Sequence, residues 1–120
     1  MIFVIDDDRV MAECMARMLK QVEPNLEVQI FSNGIEAVAA LNEATPSLIF
    51  LDVLLDGPDG FTVLNELASY TDTAKIPVVL VSSLDLQKHD LSNYGIVQVL
   101  HKDTMKPADF QAILEQYHGK

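Results

Sequence analysis

Ser47-Leu48-Ile49-Phe50-Leu51-Asp52 is the stretch that decides how this chain folds. Four large apolar residues in unbroken succession read as a strand buried on both faces, and a carboxylate follows where such a strand would emerge. Three other runs have the same form. Ile2-Phe3-Val4-Ile5 ends in Asp6-Asp7-Asp8, Val78-Val79-Leu80-Val81 ends in Ser82-Ser83, and Ile96-Val97-Gln98-Val99-Leu100 ends in His101-Lys102. Strands of this kind, with helical stretches between them, form a parallel sheet sandwiched by helices. Their carboxyl ends then lie side by side, in the crevice where open α/β sheets bind ligands.

The intervening segments fit that plan. Met11, Cys14, Met15, Met18, Leu19 and Val22 recur at helical spacing over residues 9–22, with Arg9, Glu13, Arg17 and Lys20 on the other side. Gln29 interrupts the run Val28–Phe31, as in an edge strand. Ser32-Asn33-Gly34 is a turn and cap before a helix from Ile35 to about Glu43, with Ile35, Val38 and Leu41 expected inward. Asp59 is placed to cap a helix carrying Phe61, Leu64 and Leu67. A short polar helix is expected between Leu84 and Tyr94, ended by Gly95, and a last helix opens near Pro107 with Phe110, Ile113, Leu114 and Tyr117 as its stripe. The pattern is strand-helix repeated five times, in one domain spanning 1–120 with no linker or low-complexity tract.

Composition narrows the class. Half the residues are hydrophobic, so a core can form, and 120 residues fit one domain. The net charge of -10, with 8 Lys and Arg scattered along the chain, argues against nucleic acid as a direct partner. The lone Cys14 suits a reducing compartment, and no apolar run reaches the length of a membrane span. A cytoplasmic protein is expected.

Asp6, Asp7 and Asp52 would crowd negative charge at the strand ends, beyond what Lys102 can offset. A divalent cation would relieve this, and oxygen-only ligands favour Mg²⁺ over zinc or copper. A carboxylate beside Mg²⁺, an ammonium and the Ser82 hydroxyl is suited to accept a phosphoryl group as an acyl phosphate. Taken singly, these residues have ordinary readings: an acidic helix start, a loop carboxylate, a Ser at a strand end. Their convergence on one sheet edge is what points to chemistry.

These residues resemble the receiver domain of two-component response regulators, over essentially the whole chain. The paired acids after the first strand are matched by Asp6 and Asp7, and the phosphoacceptor after the third by Asp52. Asp59-Gly60, Ser82 at the end of the fourth strand and Lys102 at the end of the fifth complete the motif set. The resemblance implies a flavodoxin-like (βα)5 sandwich with strand order 2-1-3-4-5. It implies that Asp52 takes a phosphoryl group from a phosphohistidine on a histidine kinase or phosphotransfer protein. It further implies that Asp7, Asp52 and the Leu54 backbone carbonyl ligate Mg²⁺, with Asp6 acting through water. Such a domain catalyses its own phosphorylation and dephosphorylation and turns over no separate substrate. It signals to a downstream protein, or pairs as a homodimer, through the face of the residue-84–94 helix, fifth strand and last helix.

Three features depart from that family's pattern: Asp103, Val99 and a short segment from Ser82 to Gly95. Asp103 stands where a Pro usually follows the Lys, which would free the Lys102 loop, and Val99 stands where an aromatic is common. Leu54 and Leu84, two positions beyond Asp52 and Ser82, should exclude an attacking water and give a long-lived acyl phosphate. The alternative to a switch is a degenerate receiver that only docks proteins. A flavin-phosphate binder would need a Ser/Thr/Gly-rich loop in place of Asp6-Asp7-Asp8-Arg9, and an aspartate-nucleophile phosphatase would need a carboxylate at Leu54.

Overall fold

The structure is a computed structural model that describes residues 1–52, 60–83 and 95–118, with the backbone alone at positions 60, 61 and 118. Five parallel strands are ordered β2-β1-β3-β4-β5. The three central strands, β1 (Ile2–Ile5), β3 (Leu48–Asp52) and β4 (Val78–Ser82), are buried along their whole length. That is why their sequences do not alternate: helices cover both faces. β2 (Val28–Phe31) is an edge strand, half-buried throughout, and Gln29 is tolerated there.

Side chains alternate across the sheet and divide the core in two. Ile2, Val4, Leu48, Phe50, Val79 and Val81 face α1 (Arg9–Val22) and α5 (Pro107–Ile113), which contribute Met15, Leu19, Phe110 and Ile113. Phe3, Ile5, Ile49, Leu51 and Leu80 face α2 (Gly34–Leu41) and α3 (Gly60–Ala68), which contribute Ala37, Val63, Leu64 and Leu67. A single helical turn, α4 (Thr71–Ala74), lies between α3 and β4, and α5 continues as a π-helical turn over Leu114–His118.

Local chemistry sets the helix starts. Asp8 caps α1 by accepting from the Met11 N–H at 3.1 Å, and Asn33 caps α2 by accepting from the Glu36 N–H at 2.9 Å. Pro107 opens α5, where the Asp109 carboxylate accepts from the Lys106 N–H at 2.9 Å. Gly95 leads into β5 (Ile96–His101) with φ +69°, a conformation that disfavours any side chain.

One expectation is corrected. Ile35 does not face inward: it is 65% exposed, and Gly34 and Ala37 make the buried side of α2. Small residues three apart let the helix lie close to the sheet, and Ile35, one step round from Gly34, falls outside that stripe. The Phe61 side chain, Asp59 and the expected helix between Leu84 and Tyr94 lie outside the described residues, whereas Val63 joins Leu64 and Leu67 on the buried face of α3.

β5 contains an irregularity that matters for the site. Val78 pairs with Ile96 but Val79 pairs with Gln98, so two residues of β5 oppose one of β4. This is a β-bulge, and it switches the side to which later residues point. Ile96 and Val99 accordingly share one core while Val97 and Leu100 share the other.

Candidate functional site

Three strand ends deliver charged groups to the same side of the sheet. Asp6 stands two residues after Val4, Asp52 two after Phe50, and Lys102 two after Leu100; all three apolar residues belong to the α1–α5 core. A period of two therefore aims the three side chains the same way. The bulge is what puts Leu100, and with it Lys102, on that side.

The carboxylates are withdrawn from water: Asp6 is fully buried and Asp52 is 3% exposed. Lys102 Nζ lies 3.3 Å from Asp6 Oδ2 and 3.3 Å from Asp52 Oδ2, and donates a hydrogen bond to the latter. Asp6 Oδ1 accepts from the Asp8 N–H at 2.9 Å. Its Oδ2 is buried and accepts no hydrogen bond, so the approach of Lys102 there is a charge contact only. Asp7 is half-buried, and one carboxylate oxygen each from Asp6, Asp7 and Asp52 fall within 4.8 Å of one another.

These positions explain the electrostatics. Burial, followed by the nearby Asp52 charge, pushes the Asp6 carboxyl up from 3.8 to about 6, against the Asp8 N–H and Lys102, which pull it down. Burial works against the Lys102 ammonium too, but Asp6 and Asp52 outweigh it and its pKa is raised. Three carboxylates against one ammonium, with a buried oxygen lacking a donor, fit a hard divalent cation of the Mg²⁺ kind.

The raised Asp6 value carries a stability consequence. The folded state holds the proton more tightly than the unfolded chain, so this group's contribution is full below pH ~4 and is lost as pH rises through about 6. In magnesium-free buffer near pH 7.5, Asp6→Asn should stabilise the fold by on the order of 2 kcal/mol. The amide oxygen can still accept from the Asp8 N–H, and Lys102 keeps Asp52. Thermal unfolding at pH 7.5 and pH 4.5 checks this: the gain should shrink at the lower pH, and an equal gain or a loss at both would refute it.

Ser82 is fully buried at the end of β4, opposite His101 in register. Asp52 aligns with Val81, so Ser82 stands one residue further along the edge. The Lys102 N–H donates to the Ser82 carbonyl at 2.8 Å, tying the two strand ends together. At the Lys102 turn, Asp103 adds a hydrogen bond of its own. The Asp103 N–H, which a proline would lack, donates to His101 Nδ1 at 3.2 Å. Thr104 and Met105 N–H groups donate to the His101 carbonyl at 3.1 and 3.0 Å. His101 therefore acts as the post around which the turn closes, a role invisible in a lone strand-end histidine. Val99 is half-buried against the α2–α3 core. Leu54 and Leu84 lie outside the described residues.

The sequence matches the response regulator receiver domain family over residues 2–115. It is 30% identical over 122 residues to the probable C4-dicarboxylate response regulator DctR of Priestia megaterium, spanning 98% of this chain and 51% of that protein. It is 38% identical over 86 residues to the response regulator PleD of Caulobacter vibrioides, spanning 70% of this chain and 18% of that protein. The chain thus covers about half or less of the length of these curated relatives. Among solved structures, the receiver domain of NtrX from Brucella abortus superposes with a TM-score of 0.82 at 25% identity, covering 97% of this chain and 96% of that one. The receiver domain of a sensor histidine kinase from Pseudomonas aeruginosa PAO1, with a magnesium ion coordinated in its active site cleft, superposes with a TM-score of 0.83 at 22% identity, covering 99% and 97%.

Proposed function

Because this chain belongs to the response regulator receiver domain family, we propose that it is a phosphorylation switch whose acceptor is Asp52. The observation that carries this reading is the juxtaposition of the buried Asp52 carboxylate with Lys102 at 3.3 Å and with the oxygens of Asp6 and Asp7. An Asp52 oxygen attacks the phosphorus of a phosphohistidine; the phosphorus–nitrogen bond breaks, and the imidazole leaves with the electron pair and takes up a proton. The product is an acyl phosphate on Asp52. Asp7, Asp52 and the Leu54 carbonyl would hold Mg²⁺, with Asp6 reaching it through water; once bound, the ion offsets charge on the transferring oxygens. Lys102 is shared between two carboxylates and can follow the charge onto the phosphoryl group, and the Ser82 hydroxyl donates to one of its oxygens.

A protein donor, a histidine kinase or phosphotransfer protein, fits the surface beside the site. Val10, in the first turn of α1 just after Asp6 to Asp8, is 78% exposed and offers an apolar contact there. The whole of 1–120 acts as one phosphoacceptor domain, in the cytoplasm, signalling through protein contacts to a downstream target or a second copy. No helix among the described residues is long and apolar enough to cross a membrane. The test is incubation with acetyl phosphate, with and without Mg²⁺, read by intact mass. A magnesium-dependent gain of one phosphoryl group supports the switch; no gain with acetyl phosphate or a phosphorylated histidine domain would leave only a docking role.

Lifetime of the phosphorylated form is set by water access. Leu54→Asn or Leu84→Glu should shorten it several-fold by offering a water a polar anchor. Decay of the phosphorylated mass over time measures this, and unchanged decay in both variants refutes it.

A further inference from the structure

Two neighbouring cavities, of 460 and 270 Å³, open between α2, α3 and α4. Val38 and Glu66 line both, so they form one continuous groove on the opposite side of the sheet from α1 and α5. Leu41 and Tyr70 line one end of it and Ile35 the other. Among the described residues three large apolar side chains stand exposed, and two of them are here: Ile35 at 65% and Tyr70 at 58%.

Leu41 packs in part against the core, but Ile35, Ala39 and Tyr70 stand outside it. α2 buries only Gly34 and Ala37, yet Glu36 is the one charged residue among its eight. A surface helix ordinarily turns a polar face outward. This one turns out Ile35 and Ala39, and apolar surface without a folding role marks a contact site.

Charge identifies what would cover it. No Lys or Arg occurs between Lys20 and Lys75, so both helices and the turns around them carry acids only. Glu36, Glu43, Glu66 and Asp72 all lie in this region, and Glu66 and Asp72 line the groove itself. A second copy would bring the same acids to the contact, and nucleic acid would be repelled. We infer that the α2–α3 groove is a docking surface for a basic amphipathic helix of a partner protein. Two or three apolar residues spaced i, i+3 or i+4 and i+7 would seat against Val38, Leu41 and Tyr70. Lys or Arg flanking them would face Glu36, Glu66 and Asp72. This is a surface apart from the phosphoacceptor site and does not depend on the phosphorylation chemistry.

The test uses the full chain and a panel of helical peptides with identical apolar anchors and either Lys or Glu on their flanks. Amide chemical-shift mapping should show the Lys peptides perturbing α2, α3 and α4, with binding that weakens as salt rises. Ile35→Ser and Tyr70→Ala should each weaken the Lys peptides about tenfold, and Glu66→Lys by several-fold. Ile35 is exposed, so its variant should unfold at the same temperature as the wild type, keeping a loss of binding separate from a loss of fold. The inference is overturned if Lys and Glu peptides bind alike, or if no Lys peptide perturbs α2 and α3. It is equally overturned if the shifts gather at Asp6 and Asp52, or if the face is buried in a homodimer that Ile35→Ser dissociates.

Discussion

Asp52→Asn should take up no phosphoryl group from acetyl phosphate under conditions in which the wild type gains one, a drop on the order of 10³-fold or more. The amide matches the carboxylate in shape but its oxygen is a far weaker nucleophile and carries no charge. The fold should survive, because Lys102 keeps its 3.3 Å contact with Asp6. Loss of the Asp52 charge also removes one of the causes that raise the Asp6 carboxyl, so Asp6 should titrate closer to its ordinary range. Intact mass reads the first effect, and the pH dependence of carboxyl resonances reads the second. An Asn variant phosphorylated at the wild-type rate would place the acceptor elsewhere, and the reading of the whole crevice would fall with it.

Phe110→Ala should cost about 3–5 kcal/mol of stability, a large part of what a domain of this size has to lose. Phe110 is fully buried, and its ring centroid sits 5.3 Å from that of Phe50 at a 41° tilt. Phe50 precedes Asp52 by two residues on the same side of β3, so the pair is the packed floor beneath the acceptor. Emptying it removes apolar contacts and leaves a cavity that the sheet, held on both faces, can collapse into only partly. Urea unfolding measures the loss as a lower midpoint, and a loss below about 1 kcal/mol would mean that α5 is not seated as described.

How far the sequence could be read depends on what each element buries. β1, β3 and β4 were legible because strands covered on both faces must be apolar throughout, and β2 because an edge tolerates Gln29. α1 has one apolar and one charged side, so its facing follows from spacing. α2 is apolar nearly all round, so periodicity does not choose its phase, and Ile35 lies on the exposed side although its spacing suits the buried one. The turn Thr71–Ala74 is too short and too polar to carry a period. It is held by the Thr73 hydroxyl donating to the Leu67 carbonyl at 2.6 Å. At the site, the order of strand ends is enough to bring Asp6, Asp7, Asp52, Ser82 and Lys102 to one edge of the sheet. The orphaned Asp6 oxygen and the His101–Asp103 closure depend on angles and turn geometry that no spacing encodes.

The extra residue in β5 has a further effect at the rim of the molecule. β5 is the last strand of the sheet, so one row of its backbone donors and acceptors faces outward and invites another strand to add on. Where Val97 is squeezed in, the strand bends and that row loses its even spacing. An incoming β-strand would find a broken ladder there, so the offset that aims a lysine also works against edge-to-edge pairing.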